Sequence, residues 1–265
     1  MRIASLTFIL LFSLTAVCQL DMVTPFKNCE LRGSCTIYDY QHKKWLLSDS
    51  VDARIESLPA STFKIINLLI ALETGVIKDE TEVIKWVGKT DTTRYGYRPE
   101  IYKDMTVKEA FEVSAVWAFL DLAKKVGRER YLHYLKLCHY GNADLSEKGP
   151  DFWNLGPLAI SPRNQVEFLI KMYEGKLPFS KQNIEILKRV MISEQNDEYI
   201  IHAKTGWTRE GGNDSGWWVG YVERKGNVWF FATRVSKPRS TINPHFSTCR
   251  KEITKDILRQ LKAIN

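Results

Sequence analysis

Ser61-Thr62-Phe63-Lys64 is an S-x-x-K pattern whose residue types fit acyl transfer. A serine hydroxyl is a weak nucleophile until a neighbouring base takes its proton. Spacing of i,i+3 on a helical turn puts Lys64 on the same face as Ser61 and within its reach. Pro59-Ala60 precedes the serine, and a nearly all-round apolar run follows through Leu72, including Phe63, Ile65, Ile66, Leu68, Leu69 and Ile70, with Gly75 in the C′ position. This predicts a buried central helix with Ser61 at its start, where unpaired backbone N–H groups favour an oxyanion. Taken alone, the pattern fixes only two residues, and a serine N-cap beside a snorkelling lysine is the plainer reading.

Those side chains need a frame. The chain has 265 residues, 44% hydrophobic and 26% charged, which is enough apolar material for a core. With 15 Gly, 9 Pro and no internal period, it is neither collagenous, low-complexity nor a solenoid. Residues 34–49 read as a strand pair around the turn Gln41–Lys44. Helical periodicity marks Thr106–Val113, Val116–Val126, Glu129–Cys138, Pro162–Tyr173 and Lys181–Val190. Three β-rich runs follow, Tyr199–Thr205, Trp217–Glu223 and Val228–Val235, separated by Gly211-Gly212-Asn213-Asp214 and Arg224-Lys225-Gly226-Asn227. Helical spacing returns from Arg250 to Leu261. The expectation is one mixed α/β (α+β) unit over residues 19–265. It is β-rich at 19–60 and 191–265 with a helical region at about 61–190, and the site lies between sheet and helices.

Arg2 precedes an apolar stretch from Ile3 to Val17, too short to span a bilayer comfortably, and then Ala16-Val17-Cys18. Residues 1–18 therefore read as a signal peptide, and the protein as secreted and periplasmic with no transmembrane segment. A lipid anchor on Cys18 is the alternative, disfavoured by the size of Val17. The formal charge of +7 comes from basic residues scattered along the chain, which argues against a nucleic-acid partner and leaves oligomeric state open. Cys29 and Cys35 are close enough in sequence to form a disulfide; free buried thiols are the other reading. Cys138-His139 with His133 lacks the spacing of a zinc site, so no metal is expected.

Ser114-Ala115-Val116 and Lys204-Thr205-Gly206 supply a second serine and a second lysine in the order expected of penicillin-recognising serine enzymes. Together with Pro59–Lys64, Tyr140-Gly141-Asn142, Phe152-Trp153, Lys204–Trp207 and Trp217-Trp218-Val219-Gly220, they make the chain resemble the class D β-lactamases, the oxacillinases, over essentially its whole length after residue 18. Val116, where class A enzymes carry asparagine, and Tyr140-Gly141-Asn142 both point to class D. The resemblance implies a penicillin-binding transpeptidase-like fold, an antiparallel sheet flanked by helices plus a helical region. It implies hydrolysis of the β-lactam amide of penicillin-type antibiotics through acyl-Ser61, conferring resistance, with no separately bound cofactor. Lys64, carboxylated by CO2 or bicarbonate, would be the general base, and Trp153 would donate to that group.

The resemblance further implies that Ser114 and Lys204 relay a proton toward the leaving nitrogen and that the backbone N–H groups of Ser61 and Trp207 form the oxyanion hole. Arg250 and Thr205 would hold the substrate carboxylate, with Val116, Trp117, Gly206 and Trp207 at the pocket and Tyr140-Gly141-Asn142 as scaffolding. Physical chemistry agrees on Lys64: enclosed by Phe63, Val116 and Trp153, its ammonium should lose hydration and its pKa should fall. One departure stands out. Where the family usually has Trp-Leu, this chain has Trp153-Asn154 followed by Leu155, so water access changes or Leu155 substitutes after a small shift. Pocket shape is expected to depend on loops at Thr90–Pro99 and Thr208–Ser215. Trp45, Trp86 and Trp229 read as core and His202 as a packed or rim residue. The rival function is a penicillin-binding sensor or transpeptidase domain, acylated without efficient turnover.

Overall fold

The computed structural model describes residues 20–265; the proposed signal segment and Cys18 lie outside the described residues. A short helix α1 (Thr24–Asn28) leads into the hairpin β1 (Arg32–Asp39) and β2 (Lys44–Leu47). A 3-10 turn over Ala60–Phe63 runs into α2 (Lys64–Glu73). Gly75, at φ +69°, ends α2 in the conformation that glycine alone adopts cheaply, with Val76 N–H returning to the Ala71 carbonyl at 2.9 Å. The two-residue strands β3 (Val83–Ile84) and β4 (Met105–Thr106) pair with each other and flank α3 (Thr92–Tyr95). The helical region continues as α4 (Val107–Glu112), α5 (Val116–Val126), α6 (Arg128–Cys138), α7 (Pro162–Tyr173) and α8 (Lys181–Met191). Then come β5 (Ile192–Gln195), β6 (Tyr199–Glu210), β7 (Asn213–Arg224), β8 (Asn227–Pro238) and α9 (Phe246–Gln260).

Six strands form one antiparallel sheet in the order β2-β1-β8-β7-β6-β5, so both ends of the described chain meet in it as the sequence predicts. Its central strands are covered on both sides. Successive residues of a strand point to opposite faces, so Trp217, Val219 and Tyr221 pack with the helical region, while Trp218 and Val222 pack with Phe246, Ile253 and Ile257 of α9.

Three expectations need correction. The segment Thr208–Ser215 is not a loop: β6 and β7 pair all the way to Glu210↔Asn213 around the two-residue turn Gly211-Gly212. Both turn glycines have positive φ, the geometry that matches strand twist. The last helix begins at Phe246, so Arg250 sits one turn inside it rather than at its start.

The disulfide joins Cys29 to Cys249, with Cα atoms 5.9 Å apart, while Cys35 is a free, buried thiol. Cys29 caps α1, which packs on α9 and so faces Cys249. Cys35 points into the interior from β1, and burial pushes its thiol up to about 12. The bond closes a span of 220 residues and ties the two terminal segments together. Cys249→Ser is expected to lower unfolding free energy by about 2–5 kcal/mol. Urea unfolding of the variant and of reduced wild type should give the same loss; equal midpoints for oxidised wild type and the variant would exclude a stabilising bond.

Candidate active site

A 3-10 turn eclipses side chains three residues apart, and that is where Ser61 lies. Lys64 Nζ comes to 2.8 Å from Ser61 Oγ as a result. The turn is anchored from three sides. Ala60 N–H donates to the Trp153 carbonyl at 3.1 Å, Thr62 Oγ1 to the Pro59 carbonyl at 2.6 Å, and the Trp217 indole to the Leu58 carbonyl at 3.0 Å. Ala60 and Ser114 both hold φ near +50 to +60°, a strained region for residues with a Cβ. Each costs on the order of 1 kcal/mol, which the hydrogen bonds around them offset.

Lys64 is fully buried. The Phe119 ring lies 5.2 Å from its Nζ, and Phe63 stacks on Trp153 beside it at 5.0 Å between ring centroids. Loss of hydration in this apolar setting lowers its pKa from 10.5 to about 7. Asp151 acts against the shift and Arg98 with it. At neutral pH a large share of Lys64 is therefore the free amine, and the hydrogen bond can reverse, with the Ser61 hydroxyl donating to Nζ. The Trp153 indole N–H is buried without an acceptor among the described residues. A buried donor left unpaired is costly and suits an anionic oxygen acceptor such as a carboxylated lysine would offer.

Ser114 lies between α4 and α5, and its Oγ accepts from Lys204 Nζ at 3.1 Å. Lys204 also donates to the Thr205 carbonyl at 3.3 Å; burial first, then the charges of Lys64, Arg250, Lys251 and Arg98, push its pKa well down. Strand β5 pairs with β6 only as far as His202, so the stretch from Lys204 to Trp207 presents its outer edge to the turn carrying Ser61. The approach is close: a Cβ on Gly206 would lie 3.1 Å from the Pro59 carbonyl oxygen and 3.2 Å from Thr62 Cγ2. Glycine is what lets the strand reach the nucleophile.

A cleft of about 590 Å³ opens over these groups, lined by Ser61, Ser114, Val116, Thr205, Gly206, Trp207 and Arg250, and by Tyr95, Arg98, Asn154 and Leu155 on the facing side. Arg250 donates to the Gly206 carbonyl and, through Nε, to the Ser247 carbonyl at 3.0 Å; burial lowers its pKa to about 10. With Arg94, Arg98 and Arg209 also lining the walls, the cleft attracts an anionic ligand.

Several sequence expectations meet here and some do not. Ser61, Lys64, Ser114, Lys204, Thr205, Gly206, Trp207, Val116 and Arg250 are brought together. Trp117 is not at the cleft: it is buried, donates to the Ile101 carbonyl at 2.7 Å and packs edge-on against Trp86, because one step along α5 turns it away from Val116. Leu155 does not replace the missing leucine, since it is 43% exposed at the cleft rim while Asn154 is the buried one. Tyr140-Gly141-Asn142 scaffolds: Gly141, at φ +56°, sits where a Cβ would strike the Ala159 carbonyl, and Asn142 bonds Pro157 and Ala159. His202 is packed, stacking on Tyr221 and bonding Glu223. Sequence reasoning missed Phe119, Tyr95 and Asp151, whose roles arise from contacts between distant segments. Among the described residues no group of three or more His, Cys, Asp or Glu side chains is placed to hold a metal ion, and no helix is long and apolar enough to cross a membrane.

Residues 38–259 match the family model of the penicillin binding protein transpeptidase domain. Beta-lactamase OXA-48 of Klebsiella pneumoniae is 41% identical over 240 residues, covering 90% of this chain and 87% of that protein. Beta-lactamase OXA-10 of Pseudomonas aeruginosa is 44% identical over 193 residues, covering 72% and 71%. The solved structure of a class D β-lactamase from Sebaldella termitidis superposes with a TM-score of 0.86 at 42% identity, covering 92% of this chain and 96% of that one. A class D β-lactamase from Nostoc gives 0.87 at 34% identity, covering 93% and 100%. A shared fold, substantial identity across most of the length and the paired serine–lysine geometry converge on one conclusion: the chain belongs to the class D serine β-lactamases.

Proposed function

We propose that this enzyme hydrolyses the β-lactam amide of penicillin-type antibiotics through an acyl-Ser61 intermediate and so confers resistance. The observation that carries the reading is the fully buried Lys64 amine at 2.8 Å from the Ser61 hydroxyl. In acylation, Ser61 Oγ forms the bond to the lactam carbonyl carbon. The developing oxyanion is held by the backbone N–H groups of Ser61 and Trp207. The ring C–N bond then breaks, and Ser114, fed by Lys204, delivers a proton to the leaving nitrogen. Arg250 and Thr205 hold the substrate carboxylate, a task suited to a planar guanidinium. In deacylation, water gives a proton to the base as its oxygen bonds the acyl carbon, the C–Oγ bond breaks, and the proton passes to Ser61 Oγ.

Carboxylation of Lys64 Nζ by CO2 supplies, when present, an anionic general base for both half-reactions. The residues present fit that group: Lys64 is desolvated enough to be a free amine near neutrality, and the unpaired Trp153 N–H is available to an anionic oxygen. The Cys29–Cys249 disulfide and the apolar segment after Arg2 support export to an oxidising compartment, the periplasm, after removal of residues 1–18. Residues 19–265 then act as one catalytic unit.

Turnover of a penicillin and of a chromogenic cephalosporin, with and without added bicarbonate, tests the reading. Multiple turnovers rising with bicarbonate are expected. One equivalent of stable acyl-Ser61 and no further hydrolysis would favour a sensor. Within the same assay, Arg250→Ala is expected to raise KM about ten- to a hundredfold with a smaller change in kcat, the loss of a charge-assisted hydrogen bond. An unchanged KM would remove Arg250 from carboxylate binding.

A further inference from the structure

One end of the cleft is crossed by a chain of hydrogen bonds that the reaction just described does not use. Asp151 and Asn154 are both buried, although both are polar. Asp151 Oδ2 accepts from the Tyr95 hydroxyl at 2.6 Å, a strong hydroxyl-to-carboxylate bond, and its Oδ1 accepts from Asn154 Nδ2 at 2.6 Å. The Asn154 carbonyl accepts in turn from Thr208 Oγ1 at 2.8 Å. Tyr95 on α3, residues 151–154 and Thr208 on β6 are thereby joined into one strap, and Tyr95, Asn154 and Thr208 all line the cleft. Among the described residues α3 makes no other hydrogen bond outside residues 85–104, so Tyr95 is what ties it to residues 151–154. A leucine at 154, where this chain departs from the family pattern, could not donate to Asp151 through its side chain.

Strand β6 gives the order of groups along the cleft. Alternate residues of a strand share a face, and on this one Lys204 donates to Ser114, Gly206 lies against the turn carrying Ser61, and Thr208 bonds Asn154. In the proposed binding mode the substrate carboxylate lies by Thr205 and Arg250, and the lactam oxygen by the Trp207 N–H. Penicillins and cephalosporins carry their acylamino group at the end of the fused rings opposite the carboxylate. That group therefore extends beyond Trp207, along Thr208 and against the strap. A side chain with a CH2 next to its carbonyl can lie flat there. One branched at that carbon by an oxime needs more width, and a strap held at both ends by bonds under 3 Å gives way only by breaking one.

We propose that Tyr95, Asp151 and Asn154 are specificity-determining residues. Their strap sets the width of the acylamino end of the cleft, so that the enzyme favours β-lactams with an unbranched arylacetyl side chain over those with a branched oxyimino one. The inference rests on the acyl-Ser61 reading above.

The test uses two cephalosporins that share one 3-acetoxymethyl nucleus and differ only in the side chain, thienylacetyl against methoxyimino-aminothiazolylacetyl. Acylation rate constants are measured by competition with a chromogenic cephalosporin, so that slow turnover of either compound does not hide its reaction. Wild type should prefer the thienylacetyl compound by about tenfold or more. Tyr95→Phe removes one hydroxyl and keeps the ring, and Thr208→Val removes the donor at the other end and keeps the shape. Each should cut the preference, by about tenfold for Tyr95→Phe and less for Thr208→Val, through faster acylation by the branched compound. If one variant does not fold, the other decides. No preference in wild type, a preference unchanged or raised in a folded variant, or both compounds slowed by the same factor overturns the strap alone. No acyl adduct on wild type from either compound or from benzylpenicillin overturns the acyl-Ser61 reading and this inference with it.

Discussion

Ser61→Ala is expected to abolish covalent labelling by penicillins and to lower kcat/KM by about a millionfold, the scale at which a nucleophile acting with its base is lost. The size follows from the geometry. Lys64 bonds Ser61 Oγ directly, Ser114 with Lys204 behind it lines the same cleft, and none of them forms a bond to substrate in place of that oxygen. Folding should be spared, because the turn is held by Ala60, Thr62 and Trp217 rather than by the Ser61 hydroxyl. Intact-protein mass spectrometry after incubation with a penicillin checks the labelling. An acyl adduct on the alanine variant would place the nucleophile elsewhere.

Lys64→Met should separate binding from turnover. Methionine keeps much of the volume in the apolar pocket formed with Phe119 and Phe63, so penicillin still enters the cleft, while the group that takes the serine proton is gone. Loss of a positioned general base costs about 10²- to 10⁴-fold in each proton-transfer step, so kcat should fall by up to about ten thousandfold with a much smaller change in binding. The pH profile should change too. With a pKa lowered from 10.5 to about 7, Lys64 is free to accept a proton only above about 7. Wild-type acylation should therefore climb through that pH, and the climb should vanish in the variant.

The same substitution carries a stability signature. Between about 7 and 10.5 the unfolded chain keeps a proton on Lys64 that the folded chain has released, so stability gained from this group rises with pH across that window and the penalty is complete below it. Removing the amine should raise the melting temperature at pH 6, a gain in stability bought with activity. A melting temperature that falls at pH 6 would contradict a desolvated lysine.

What could be read from the chain depended on how local the physics was. The Ser61–Lys64 pair is visible because i,i+3 proximity needs nothing beyond one turn, and the central helix because its apolar run ends at a glycine that must take positive φ. The sheet faces follow from alternation in Trp217–Val222. Contacts set by tertiary packing were beyond reach. The Cys29–Cys249 bond spans 220 residues, and nothing near Cys35 announces that it faces inward. Tyr95 meets Asp151 only because α3 folds across the cleft. The polar stretch after Thr205 hides the paired ends of β6 and β7, since its residues are mostly polar and the turn that joins them is two glycines long. Trp117 misled because its neighbour Val116 does face the cleft, and adjacent helix positions point in different directions.

The most direct test is to titrate the Lys64 side chain itself. Enzyme carrying 13C-labelled lysine, held free of CO2 and assigned by comparison with Lys64→Met, should show the Lys64 ε-carbon resonance titrating near pH 7, well below the 10.5 of an unperturbed lysine. If the Lys64 resonance instead moved only near 10.5, with catalysis intact, the amine would be an ordinary ammonium beside the nucleophile and the base proposed for both half-reactions would have to be sought elsewhere.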